Sequence, residues 1–136
     1  MKTLISELFI WWQGQTMGTR FWTWRYGERV GSDEFGNVYY RTRGGRRDKT
    51  LGFERRWVVY NGYAEASNVP PGWYGWLHHT FDTPPTGEDY KPRAWQKPHE
   101  PNFTGTVNAY RPPGSAVHGG QRPKVSADYE AWTPGN

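Results

Sequence analysis

Residues 69–85 read Val-Pro-Pro-Gly-Trp-Tyr-Gly-Trp-Leu-His-His-Thr-Phe-Asp-Thr-Pro-Pro, and this block divides the chain. Pro70 and Pro71 can open a helix, because its first turn needs no N–H donors. Pro84 and Pro85 forbid its continuation. Between the two pairs Trp73, Trp76 and Leu77 recur at i, i+3 and i+4, which predicts two helical turns whose aromatic face covers one side of a sheet. Before Val69 the chain reads as a small fold. Residues 83–136 hold nine Pro and six Gly and keep no period of 3.6 or 2, so they read as an extended strap.

That strap differs from an ordinary disordered linker, which is poor in aromatics. Tyr90, Trp95, Phe103, Tyr110, Tyr129 and Trp132 are spaced along it. Ordering it costs on the order of 1–2 kcal/mol of backbone entropy per residue. A fully buried ring returns about 4–6 kcal/mol at ~25 cal/mol/Å², so six rings do not offset the cost alone. Proline lowers the cost by stiffening the free chain, and backbone hydrogen bonds to a partner supply more. The expectation is a tail that is mobile alone and ordered on a partner, with a reach on the order of 150 Å when extended.

Upstream, Met1, Leu4, Ile5, Leu8, Phe9 and Trp12 fall on a spacing near 3.6, an amphipathic helix ended by Gly14 and Gly18. Such a helix is unstable alone. It either packs on its own domain or anchors at a membrane surface or a membrane-embedded partner, where Trp11 and Trp12 suit the interfacial zone. Phe21-Trp22-Thr23-Trp24-Arg25-Tyr26 is β-prone. Glu28–Gly31 and Val38–Thr42 form the arms of a hairpin turned by residues 32–37, with Gly36 placed for a positive φ. Residues 43–49 make a charged loop. Arg56–Tyr60 is a third strand, completing a meander. The fold class expected is α+β: an N-terminal amphipathic anchor helix within 1–18, a small body over 19–82 with a three-stranded antiparallel β-meander and one short helix, and a long extended C-terminal tail over 83–136 with little regular structure.

Hydrophobic residues make up 35% of the 136 residues, yet aromatics reach 18%, with nine Trp. Aliphatic core formers are sparse, so the core must lean on rings. The same rings suit contact surface, where Trp, Tyr and Arg dominate. The net charge is +4. Residues 1–82 carry 11 Lys and Arg against 8 Asp and Glu, and residues 83–136 carry 6 against 5. The excess sits around Arg41, Arg43, Arg46, Arg47, Arg55 and Arg56, facing an acidic protein, a nucleic acid or anionic lipid. There is no cysteine, which removes disulfides, thiolate metal ligands and cysteine nucleophiles. The run Leu4–Trp12 is interrupted by Ser6 and Glu7, leads to no small-residue cleavage site and falls short of the ~20 residues that span a bilayer. The start also lacks the Arg and Ser richness of a mitochondrial presequence. A bacterial chain or an already mature one is expected.

Catalytic constellations are weak. His78 and His79 with Asp82 suggest a metal, but adjacent helical residues point about 100° apart, and no third ligand stands at a usual distance. A packed histidine, or one capping the helix, is the expected role. No Gly-x-Ser-x-Gly elbow, P-loop or dinucleotide fingerprint occurs. Asp33-Glu34 and Glu88-Asp89 are expected to be solvated, and the sequon at Asn102 has no secretory route. Arginine-rich turns beside strand aromatics resemble nucleic-acid-binding sheets, but the charge is modest and no RNA-binding signature is present.

The order of motifs is more specific than any of them. Residues 30–40 (Val-Gly-Ser-Asp-Glu-Phe-Gly-Asn-Val-Tyr-Tyr) are followed by Arg55-Arg56-Trp57-Val58-Val59-Tyr60. Val69-Pro70-Pro71-Gly72-Trp73, Trp76-Leu77-His78-His79 and Pro84-Pro85-Thr86 come next, then Asn102-Phe103-Thr104-Gly105-Thr106, Tyr110 and Trp132-Thr133-Pro134. From about residue 27 onward this resembles the seventeen-kilodalton accessory subunit family of respiratory complex I, the proton-pumping NADH:ubiquinone oxidoreductase. Tyr74 stands where that family tends to have His, Phe81 where an acidic residue is common, and residues 14–26 match poorly.

The resemblance implies a non-catalytic subunit on the peripheral arm, an alphaproteobacterial member on the cytoplasmic face of the inner membrane. The body would sit low, near the iron–sulfur and quinone-binding core subunits, and the tail would climb toward the NADH-oxidising module. The parent complex carries FMN and iron–sulfur clusters, whereas this chain would bind no cofactor. A paralogous assembly factor of the same family, or a basic-aromatic nucleic-acid-binding module, are the alternatives. The residues expected to meet partners are Trp11, Trp12, Arg55, Arg56, Trp73, Trp76, Trp95, Phe103, Tyr110 and Trp132.

Overall fold

The computed structural model describes residues 15–87, 90–129 and 132–135. Helix α1 spans Met17–Tyr26, strand β1 Gly27–Ser32, β2 Val38–Thr42, β3 Arg56–Val59 and helix α2 Pro71–Leu77. The strands form one antiparallel sheet in the order β1-β2-β3. Each connection is a hairpin, so every strand pairs with its sequence neighbour, as the meander requires. The chain divides into two units, residues 1–101 and residues 102–136.

The first hairpin is built by Asp33. Its Oδ1 accepts the Phe35 and Asn37 backbone N–H groups at 3.0 and 2.9 Å. Its Oδ2 accepts Asn37 Nδ2 at 2.8 Å and the Tyr39 hydroxyl at 2.7 Å. Gly36 takes φ +82° at the tip, the conformation only glycine reaches at no cost. Asn37, 2% exposed, donates to Asn68 O at 3.1 Å and accepts the Asn61 N–H at 3.0 Å. The turn is thereby tied to the loop that leads into α2. Asp33 was expected to be solvated; instead it is a four-bond acceptor, because the turn would otherwise strand several buried donors.

Register places Tyr39 opposite Val58 and Tyr40 opposite Trp57, and alternation sends the two pairs to opposite faces. Tyr39, fully buried, lies flat on Trp73 with ring centroids 3.9 Å apart and planes 4° apart. Trp76 meets Trp73 edge-on at 5.6 Å, and Val69 closes the core. Val30, Val58, Tyr60, Leu77 and Phe81 pack around it. The aromatic face of α2 covers the sheet as its spacing predicted. On the other face Tyr40 and Trp57 lie nearly parallel at 6.0 Å, and Trp57 Nε1 donates to the buried Thr23 hydroxyl of α1 at 3.1 Å.

Helix α1 departs from expectation, since Phe21–Tyr26 reads as β-prone. One local cap and two contacts from distant residues favour the helix. The Thr16 hydroxyl caps its start by accepting the Thr19 N–H at 3.2 Å. Arg43 donates to Trp24 O and Gly27 O at its end, both at 3.3 Å. Thr23 is held by Trp57. Gly18, expected to end a helix, lies inside this one at a modest propensity cost. The amphipathic helix expected over residues 1–12, with Trp11 and Trp12, lies outside the described residues.

Close approach explains Gly75 of α2. A Cβ there would stand 2.4 Å from the Phe81 ring. Alanine normally stabilises a helix over glycine by about 1 kcal/mol, but overpacking costs about 1–3 kcal/mol, so the clash decides the sign. Gly75→Ala is expected to lower the unfolding midpoint in urea, and Gly75→Ala with Phe81→Leu to recover part of the loss.

Pro85 and His99 pack on the body. A Cβ on Gly72 would lie 3.1 Å from the Pro85 ring. His99 Nε2 lies 2.8 Å from Ser67 O, and its ring meets Phe35 edge-on at 5.8 Å. Residues 102–129 and 132–135 contain one 3-10 turn, Ala116–His118, and otherwise a series of hydrogen-bonded turns. Asn102 Oδ1 accepts the Thr104 N–H and hydroxyl at 3.0 and 2.7 Å, and Asp128 pairs with Arg122. Little regular structure is what its proline content predicted.

Candidate partner-binding surfaces

The residues expected to meet partners fall into two groups. Trp73 and Trp76 are 4% and 1% exposed. Their rings form the core, and this corrects the expectation that they dock: a chain this poor in aliphatic residues has no other material to fill its interior. Arg55 and Arg56 separate in the same way. Arg55 lies outside, its side chain 50% exposed and paired with Asp48 at 2.6 Å.

Arg56 is internal, its side chain 3% exposed. It donates to Glu54 Oε1 at 2.8 Å, Trp76 O at 2.7 Å, Phe81 O at 3.1 Å and Asp82 Oδ1 at 2.7 Å, and stacks over the Trp76 ring at 4.8 Å. A helix end leaves carbonyls unsatisfied, and a guanidinium is well shaped to collect them. Arg56 is therefore the C-terminal clasp of α2 and not part of a docking edge. The pattern Arg-Trp-Val-Val resembles an ordinary strand, and only the fold brings the end of α2 opposite it.

His78 and His79 divide the role expected of them. His78 is the C-cap of α2, with its ring 4.2 Å from Tyr74. His79 takes φ +57°, rare for a residue with a side chain, and its ring packs on Phe53 at 4.4 Å. Burial, then the nearby Arg56 charge, push the His79 imidazole below its usual value. In the core, burial followed by the Asp33 hydrogen bond holds the Tyr39 phenol protonated far above its usual range. On the open edge of the sheet Glu28 pairs with Arg41 at 2.8 Å and accepts the Gly44 N–H at 2.9 Å. Those two bonds lower its carboxyl below the usual range.

Among the described residues no group of three or more His, Asp or Glu side chains converges as a metal site would, and no helix is long and apolar enough to cross a membrane. What remains outside is aromatic. Trp95 is 72% exposed in the first unit; in the second, Tyr110 is 85% and Trp132 78% exposed, while Phe103 is half-buried. Phe21, Trp22 and Trp24 of α1, absent from the expected set, are exposed as well. Their signal was the aromatic run itself, which a strand reading concealed. A cleft of ≈ 580 Å³ runs between α1, β3 and the end of α2, lined by Trp22, Phe53, Arg55, Trp57 and His79 among others. Large rings left in water beside arginines are the composition of binding hot spots.

Comparison with known proteins bears on what such surfaces serve. Residues 27–134 match the family described as NADH ubiquinone oxidoreductase subunit NDUFA12. The chain is 38% identical over 112 residues to a probable NADH dehydrogenase [ubiquinone] 1 alpha subcomplex subunit 12 of Arabidopsis thaliana, covering 77% of this chain and 65% of that protein. It is 34% identical over 112 residues to the Yarrowia lipolytica subunit N7BM, covering 79% of this chain and 72% of that protein. It is also 41% identical over 69 residues to an uncharacterized protein of Rickettsia prowazekii, covering 51% of this chain and 65% of that one. The alignments thus span 65–72% of these relatives' own lengths. With the matched region running from the first strand through the proline-rich tail, the chain belongs to the NADH ubiquinone oxidoreductase subunit NDUFA12 family.

Proposed function

We propose that the chain is a non-catalytic accessory subunit of the peripheral arm of a proton-pumping NADH:ubiquinone oxidoreductase, stabilising the complex by bridging its core subunits. The observation that carries this reading is the row of large exposed rings, Trp95, Tyr110 and Trp132, inside the segment that matches the family. A lone protein gains nothing from Trp in water, whereas a clamp binding only the assembled state stabilises that state by linkage. The body, residues 19–82, docks near the iron–sulfur and quinone-module subunits through the edge that carries Arg55. The tail reaches the NADH-module subunit and acquires its order there, burying Trp95, Phe103, Tyr110 and Trp132. Trp11 and Trp12 add an anchor within residues 1–18. FMN and iron–sulfur clusters belong to the parent complex. On this reading the chain is an alphaproteobacterial member at the cytoplasmic face of the inner membrane.

Truncation after Pro101 tests the clamp, because the contacts of Pro85 and His99 are kept and the body stays whole. A strain carrying the truncated chain in place of the full one is expected to yield a complex that loses this subunit, or its NADH module, on a native gel, and that inactivates at lower temperature. Full assembly with unchanged thermal inactivation would remove the bridging role. Recovery of the full chain only with partly assembled forms would identify the assembly-factor paralogue instead.

A further inference from the structure

The side of α1 turned away from the sheet is an apolar ridge with cations set into it. Phe21, Trp22, Trp24 and Tyr26 are 64%, 49%, 69% and 41% exposed, and Met17 is 46% exposed. At 100° per residue these five spread over about half of the helix circumference, with Arg25 between them and Thr23 on the buried side. The rings touch one another: Phe21 and Trp24 at 5.7 Å, Trp22 and Tyr26 at 4.4 Å. Arg25 lies over the Tyr26 ring at 5.1 Å. Helix α1 contains no Asp or Glu.

At the C-terminal end of this ridge a cleft of ≈ 260 Å³ opens, lined by Arg25, Tyr26, Thr42, Arg43 and Arg46. Among the described residues none of Arg25, Arg43 or Arg46 pairs with a carboxylate. The neighbouring acid, Glu28, is occupied by Arg41 and the Gly44 N–H. Arg43 gives one nitrogen to Trp24 O and Gly27 O and keeps its other donors. Among the described residues, then, three guanidinium groups line a small cleft and none is ion-paired, with only the Glu28 charge acting on Arg43 from nearby.

We propose that this face binds the surface of an anionic phospholipid bilayer, with the α1 rings at the headgroup–acyl boundary and the Arg25–Arg43–Arg46 cleft on a lipid phosphate. Amphipathic aromatic rings favour that boundary, and each basic residue near an anionic surface adds attraction. Charge and ring geometry select a bilayer over the rival occupants. Exposed rings beside an arginine-lined cleft match an anionic headgroup layer. Base stacking favours rings set as parallel platforms, but these rings tilt against one another by 42° and 46°. The site lies outside residues 1–18 apart from Met17, so it adds a lipid contact distinct from any N-terminal anchor and does not depend on membership of a larger complex.

Co-sedimentation of the full chain with phosphatidylcholine vesicles, with and without phosphatidylglycerol, tests this. Binding is expected with phosphatidylglycerol and is expected to weaken as salt is raised. Arg25→Glu with Arg46→Glu, two exposed positions, is expected to cut that binding at least about tenfold. Phe21→Ser with Trp24→Ser is expected to weaken it while the salt dependence stays. Equal binding to both vesicles, or unchanged binding by the arginine variant, would overturn the proposal. So would an arginine variant that keeps vesicle binding but loses RNA, or loses its place in the NADH dehydrogenase band of a native gel. That gel also reports on the accessory-subunit reading separately, since the vesicle result stands without it.

Discussion

Trp76→Ala is expected to lower the unfolding free energy by about 3–5 kcal/mol, the range for removing a fully buried ring from a packed core. The side chain is 1% exposed. It meets Trp73 edge-on, and Trp73 in turn stacks on Tyr39, so the cavity opens inside the one cluster that holds the sheet to α2. Neighbouring aliphatic residues are too few to collapse into it. Urea denaturation with equilibrium fluorescence measures the change, and a loss under about 1 kcal/mol would mean that this ring is not central to the core. The exposed Trp95→Ala is expected to stay within about 0.5 kcal/mol in the same assay, because Trp95 is 72% exposed. The two variants should reverse order when association with a purified complex is measured.

Arg56→Leu carries the second large effect, a loss of roughly 3 kcal/mol or more. Leucine keeps much of the volume but leaves Trp76 O, Phe81 O and Glu54 without their shared donor. The Asp82 arm contributes little, since that carboxylate is 92% exposed. Arg55→Leu one residue earlier removes only an exposed pair and is expected to change stability by about 0.5 kcal/mol or less. Thermal unfolding of the two variants separates them, with a fall of at least about 12 °C for Arg56→Leu. Equal midpoints would return Arg56 to the surface role that its sequence neighbourhood suggested. Arg56 and Trp76 touch, so their double variant should lose less than the two singles added.

The contrast between Arg55 and Arg56 shows how far the amino-acid order reaches. Both are basic, both are followed by strand-forming residues, and alternation says only that they face opposite ways. Which way is inward depends on where α2 ends, and that is set by Trp73 stacking on Tyr39 across 34 residues of chain. Asp33 is a similar case. Its place in a turn was legible, but not its four hydrogen bonds from Phe35, Asn37 and Tyr39, nor that Asn37 beside it is held by the loop returning through Asn61 and Asn68. For α1, local aromatic content suggested a strand, and the contacts that decide for a helix come from Trp57 and Arg43.

Local rules by themselves determined the hairpin with its glycine tip, the third strand, the proline-opened helix and the irregular tail, and the linear order of motifs placed the chain in its family. Those features depend on φ restriction, alternation and hydrogen-bond donors that each residue carries wherever it lies. Tertiary structure alone decided which tryptophans and arginines lie inside and which are left in solvent. The chemistry that makes a ring or a guanidinium good at filling an aromatic core also makes it good at a contact surface, and only the opposing element, brought from elsewhere in the chain, tells the two apart.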